Sequence, residues 1–104
     1  MSARKELVRI LQKCHGSHQA LTGFELTEML NDKGIGIDQS SLTKIIDKIR
    51  LSDEVPGLVS DFNGYYWTRN IEKHIEISRS KRNRLFMLEE ALIRQYKITH
   101  NEPD

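Results

Sequence analysis

The side chains with most capacity for chemistry are few, and their spacing decides what they can do. The stretch "CHGSH" gathers Cys14, His15 and His18. A zinc site takes four ligands at characteristic spacings, and His74 and His100 lie too far along the chain to form an evident second ligand pair. The cluster reads as a helix end carrying histidines, and no metal or other cofactor is expected. His74 stands between Glu72 and Glu76. Alternating residues on a helix do not converge, so this is not a catalytic pair. The chain contains no glycine-rich phosphate loop, no HExxH and no GxSxG. Its core is too thin for an obvious deep pocket, so neither an enzyme nor a small-molecule substrate is expected.

What remains is attraction to a polyanion and hydrogen bonding from a helix surface. The run "SRSKRNR" sets Arg79, Lys81, Arg82 and Arg84 in one short stretch, able to contact phosphates without reading sequence. On a helix, Arg79 and Arg82 share one face and Lys81 and Arg84 another. A solvated surface balanced by nearby Glu residues accounts for the run about as well. Upstream, Gln39, Ser40, Ser41, Thr43, Lys44 and Lys48 have the chemistry to reach base edges and phosphates, with Asp47 among them. The plain alternative is an ordinary wet helix face.

These residues sit in a chain of 104, long enough for one domain. Apolar residues make up 38% and charged residues 30%, which permits a modest core under mostly wet faces. The formal net charge is only +1, so total charge does not mark a nucleic-acid binder. Its distribution is uneven: the balance is −1 over residues 1–68, +4 over 69–97 and −2 over 98–104. Cys14 is the only cysteine, which excludes an intrachain disulfide and fits a reducing compartment. "MSARKELVRILQKC" lacks the apolar centre of a signal peptide, and no later stretch is long enough to cross a bilayer. A cytoplasmic protein with no membrane partner is expected.

The elements that must position these side chains follow from spacing. Leu7, Ile10, Leu11 and Cys14 form one apolar stripe and predict a helix from about Ala3 to His15, ended by Gly16 and Ser17. Thr22 and Glu25 have the spacing of a capping box, with Leu21 and Leu26 placed for a hydrophobic staple, opening a helix to about Lys33. Leu26, Met29 and Leu30 should face inward, and Gly34 and Gly36 should break it. Asp38 should cap a third helix to about Leu51, buried through Leu42, Ile45, Ile46 and Ile49. "SDEVPG" is a link. Strands near Leu58–Ser60 and Tyr65–Thr68 flank an Asn-Gly hairpin signal in "FNG". Asn70 is placed to cap a long last helix reaching about Lys97. Its apolar residues Leu85, Leu88, Leu92 and Tyr96 exceed the needs of one wet face: part can pack on the first helix and the remainder can form a partner interface with a second copy of the chain, although the Arg79–Arg84 run cuts an uninterrupted coiled-coil seam.

"LTGFELTEML", "SSLTKIIDKIR" and "VPGLVSDFNGYYW", taken in order, resemble the winged helix-turn-helix domains of bacterial and phage regulators. The resemblance covers Leu7 to Thr68. It implies a mainly α fold with a small β-hairpin: three helices, a two-stranded wing and here a long carboxy-terminal helix. The chain then divides into a winged-helix domain at 1–69, a helix at 70–97 extending it and a disordered tail at 98–104. The implied partner is double-stranded DNA, in transcription regulation or a phage or other mobile-element process. In that arrangement the third helix enters the major groove and Asn63 brings the wing tip to the backbone or minor groove. The turn "NDKGIGI" is longer than the tight turn usual between such helices, and the third helix has no Arg before Arg50. The alternative is an adaptor that binds another protein through Leu85 to Tyr96. The adaptor surface should be less sensitive to salt than a DNA contact.

Overall fold

The computed structural model describes residues 2–101. Its order is helix, helix, helix, hairpin, helix. The chain falls into two compact units, Met1–Ile71 and Glu72–Asp104, each described by itself below. No helix among the described residues is long and apolar enough to cross a membrane.

Ser2 caps α1 (Ala3–Leu11), its Oγ accepting from the Lys5 N–H. The helix stops four residues before the expected end. Lys13 and Cys14 tighten into a turn by donating to Ile10 O and Leu11 O. The backbone of Cys14 to Gly16 then pairs with the hairpin instead: Trp67 N donates to Cys14 O at 2.8 Å and Gly16 N to Trp67 O at 3.0 Å. Cys14 is still buried, as its place in the stripe predicts, with its thiol 3.4 Å from Ile10 O. A short 3-10 turn, Ser17–Gln19, leads on.

Thr22 and Glu25 form the reciprocal capping box at the start of α2 (Gly23–Asp32). The helix ends in a Schellman motif, in which Gly34 N donates to Asn31 O and Ile35 N to Leu30 O. Gly34 takes the left-handed conformation this ending requires, at φ 81°. The long turn that follows is held by one side chain. Asn31 Oδ1 accepts from Ile37 N at 3.2 Å, while its Nδ2 faces Ile37 O at 3.4 Å. Asp38 then caps α3 (Gln39–Leu51).

β1 (Leu58–Asp61) and β2 (Gly64–Trp67) pair antiparallel, with Leu58 opposite Trp67 and Asp61 opposite Gly64. The loop is therefore Phe62–Asn63, one residue earlier than an Asn-Gly turn. Asn63 keeps negative φ, and Gly64 alone in the turn takes positive φ, at 120°. Asp61 Oδ1 accepts from Asn63 N at 2.8 Å and Oδ2 from Tyr66 Oη at 2.7 Å, which fastens the turn from both sides.

The core lies between the three helices and one face of the hairpin. Leu7, Leu11, Leu26, Leu30, Leu42, Ile46 and Ile49 are fully buried, each stabilising the fold by about 2 kcal/mol on transfer grounds. Tyr65 and Trp67 pack against this cluster while Tyr66, one residue between them, is buried away from it. Among charged side chains, Glu6 is buried to 5% exposure. It receives Lys33 from the end of α2 and, at 2.9 Å, Arg9 from its own helix. The Lys33 hydrogen bond, against the opposing effect of burial, holds its carboxyl below the ordinary range.

In the second unit, α4 spans Glu72–Asn101. The helix begins at Glu72, so Ile71 rather than Asn70 stands directly before it, and the Asn70 N–H is donated to Thr68 Oγ1 at 3.1 Å. Residues Ile98 to Asn101, expected in a tail, continue the helix, because no Gly or Pro interrupts the chain there. Residues 102–104 of that expected tail lie outside the described residues.

A Cβ on Gly64 would sit 2.5 Å from the Leu21 carbonyl carbon and oxygen. Backbone cannot yield there as a flexible side chain would. Gly64→Ala is expected to cost about 2 kcal/mol and lower Tm by about 10 °C in a thermal melt. At Gly36 nothing lies within 4 Å of an added Cβ, so Gly36→Ala is expected to leave Tm nearly unchanged.

Candidate nucleic-acid interface

The start of α3 depends on one carboxylate. Asp38 Oδ1 accepts the Ser41 N–H at 2.8 Å, satisfying a donor the first helical turn leaves open. Those hydrogen bonds from Ser41 hold the Asp38 carboxyl below its ordinary value, and the nearby Lys44 charge adds to the effect. From that fixed start, Leu42, Ile46 and Ile49 go into the core and turn the opposite face to solvent. Gln39, Ser40, Ser41, Thr43, Lys44, Asp47 and Lys48 are all exposed, as the sequence predicts. Thr43 Oγ1 donates back to Gln39 O at 3.0 Å, so its lone pairs are what face outward. Lys44 and Lys48 lie one turn apart and form no ion pair among the described residues. Ser41, bound to the cap, sits at the edge of this face rather than its centre.

The hairpin is fitted against this helix at Gly23. A Cβ on Gly23 would meet Gln39 Oε1 at 3.0 Å, Leu42 Cδ2 at 3.7 Å and Tyr65 Cε2 at 3.8 Å. The first turn of α2, the start of α3 and β2 therefore converge on a residue with no side chain. Arg50 adds a second tie. Its guanidinium carbon stands 5.6 Å from the centre of the Tyr65 ring, within cation–π range. Its Nε and Nη2 are enclosed with no hydrogen-bond partner among the described residues. The one arginine of α3 thus serves packing, and Lys44 and Lys48 are left as the outward cations of the helix.

Asn63 is exposed at the hairpin tip, beside Phe62 at 96% exposure. Phe62 is a residue that sequence reasoning passed over. Its place in the turn is legible from the sequence, and the register makes it the first loop residue, at the tip. The basic residues Arg79, Lys81, Arg82 and Arg84 are exposed on α4 and belong to the other unit, as do the exposed Leu85, Leu88, Leu92 and Tyr96.

"CHGSH" does not gather into a site. The Cys14 thiol points back to Ile10 O, and the His15 ring stacks on Trp67 at 3.9 Å between centroids and 6° between planes. Trp67 Nε1 in turn donates to Gln12 O at 2.9 Å. A hollow of about 500 Å³ opens beside Trp67, walled by Val55 and Pro56. Its carboxylate, Glu54, is already engaged by Arg4 and by Ser52 Oγ at 2.8 Å. No family model, curated protein or solved structure matches the chain.

The depressed Asp38 pKa fixes a sign. The cap is fully present above the ordinary value of 3.8 and is lost as pH falls through the lower folded value. Asp38→Asn keeps a capping oxygen without the charge. It is expected to melt near the wild-type Tm at pH 7 and to show a shallower loss of Tm below pH 3.8.

Proposed function

We propose that the protein is a winged helix-turn-helix DNA-binding protein of the cytoplasm, acting in transcription regulation or in a phage or mobile-element process. The observation that carries the reading is the exposed polar face of α3, capped at its start and seated against a two-stranded hairpin at Gly23. Gln39, Ser40 and Thr43 offer hydrogen bonds to base edges, while Lys44 and Lys48 meet phosphates. The wing contributes Asn63 without any positive charge at its turn. Arg79, Lys81, Arg82 and Arg84 add salt-sensitive attraction that is indifferent to sequence. The resemblance of three successive stretches to bacterial and phage regulators supports the same reading.

We also propose a homodimer formed through α4. The second reading, an adaptor for another protein, is favoured by the same exposed residues, Leu85, Leu88, Leu92 and Tyr96. On that reading, Leu88→Asp or Leu92→Asp abolishes partner capture, and salt has little effect.

Fluorescence anisotropy with a random-sequence duplex, titrated at several salt concentrations, separates the two. The DNA reading predicts binding at low salt that weakens linearly in log–log form. Replacing Lys44 and Lys48 with Ala should lower the magnitude of the slope by about 2. Failure to bind any duplex at low salt would contradict it.

A further inference from the structure

The face of α4 carries a regular seam. Ile75, Leu85, Leu92 and Tyr96 lie on one stripe with Ser78, Arg82 and Glu89, and the steps between successive members alternate three and four residues from Ile75 to Tyr96. That is a heptad repeat of three heptads, about 32 Å long, within a helix of 30 residues. Every member of the seam is exposed, Leu85 and Leu92 to 66%. A stripe of this length with no cover is an interface that lacks its second half.

Two charges interrupt the apolar seam, and they identify the occupant. Arg82 and Glu89 are seven residues apart, one on each side of the middle of α4. In a parallel pair each would face its own copy, Arg82 against Arg82 and Glu89 against Glu89. The basic run from Arg79 to Arg84 would also lie against itself. In an antiparallel pair the two-fold axis brings Arg82 of one copy beside Glu89 of the other, twice, and sets Lys81 and Arg84 towards the acidic stretch at Glu89 and Glu90. The helix dipoles also oppose one another favourably in that arrangement.

We infer that α4 pairs antiparallel with α4 of a second copy of this chain, and that the reciprocal Arg82–Glu89 contacts set the orientation. This deepens the self-association proposed above and does not depend on DNA binding; with Arg82 held by Glu89 of the other copy, the phosphate attraction of the Arg79–Arg84 run rests on its remaining cations, Arg79 foremost. The Arg79–Arg84 run, which breaks a parallel seam, is what makes the antiparallel one selective.

Sedimentation of the full chain over a concentration series tests it. The wild type is expected to form a dimer. Arg82→Glu sets like charges together at both contacts and is expected to raise the dimer dissociation constant about tenfold. The double variant Arg82→Glu with Glu89→Arg restores opposite charges and is expected to return within about twofold of wild type. A wild type that stays monomeric overturns both the dimer and its orientation. A dimer that Arg82→Glu leaves unchanged, or that the double variant fails to restore, overturns the orientation alone.

Discussion

The organisation of the first unit depends on β2 being paired along both edges. On one edge it pairs with β1. On the other, Tyr65 exchanges both backbone bonds with Leu21, at 2.8 and 3.1 Å, and Trp67 accepts from Gly16 and donates to Cys14 O. Alternate residues of the strand therefore serve the linker between α1 and α2. A two-stranded hairpin is marginal by itself in water. Stitched to that linker, it becomes part of the scaffold. Gly64 is the condition for it, since its missing Cβ lets the strand approach Leu21 and Thr22.

That stitching carries through to α3. Leu21 runs directly into the Thr22 cap, so the strand that holds Leu21 also fixes the first turn of α2. Tyr65, held by the same bonds, packs near Gly23 and beneath Arg50. Asp38 then sets where α3 begins, and three buried side chains set its rotation. The polar face from Gln39 to Lys48 is thus presented on a rigid element fixed at its start, along its length and near its end. Such fixing favours recognition, because a preordered surface loses little conformational freedom on binding.

Much of this was legible in the sequence, and the reasons are local. The capping box at Thr22, the cap at Asp38, the glycine ending at Gly34 and the apolar stripes of α2 and α3 all act over a few residues, so spacing reveals them. What spacing missed depended on contacts between distant positions. The early end of α1 comes from Trp67 claiming the backbone of Cys14 and Gly16, more than fifty positions away in sequence. The turn from Asp61 to Gly64 was legible, but it took the strand register to show that Phe62 and Asn63, rather than Asn63 and Gly64, are its central pair. That α3 has no Arg before Arg50 is plain from the sequence, but the place of Arg50 over Tyr65 needed the third dimension. The apolar excess of α4 was visible in the sequence. The orientation it favours appeared once the uninterrupted helix placed Arg82 and Glu89 on one seam.

The central claim is that the outward face of α3 is the surface that meets DNA. An amide NMR titration of the whole chain with a random-sequence duplex at low salt tests it most directly. The account predicts shifts concentrated from Gln39 to Lys48, with smaller ones at Phe62, Asn63 and the Arg79–Arg84 run. Shifts confined to α4, or no shifts at any duplex concentration, would contradict it.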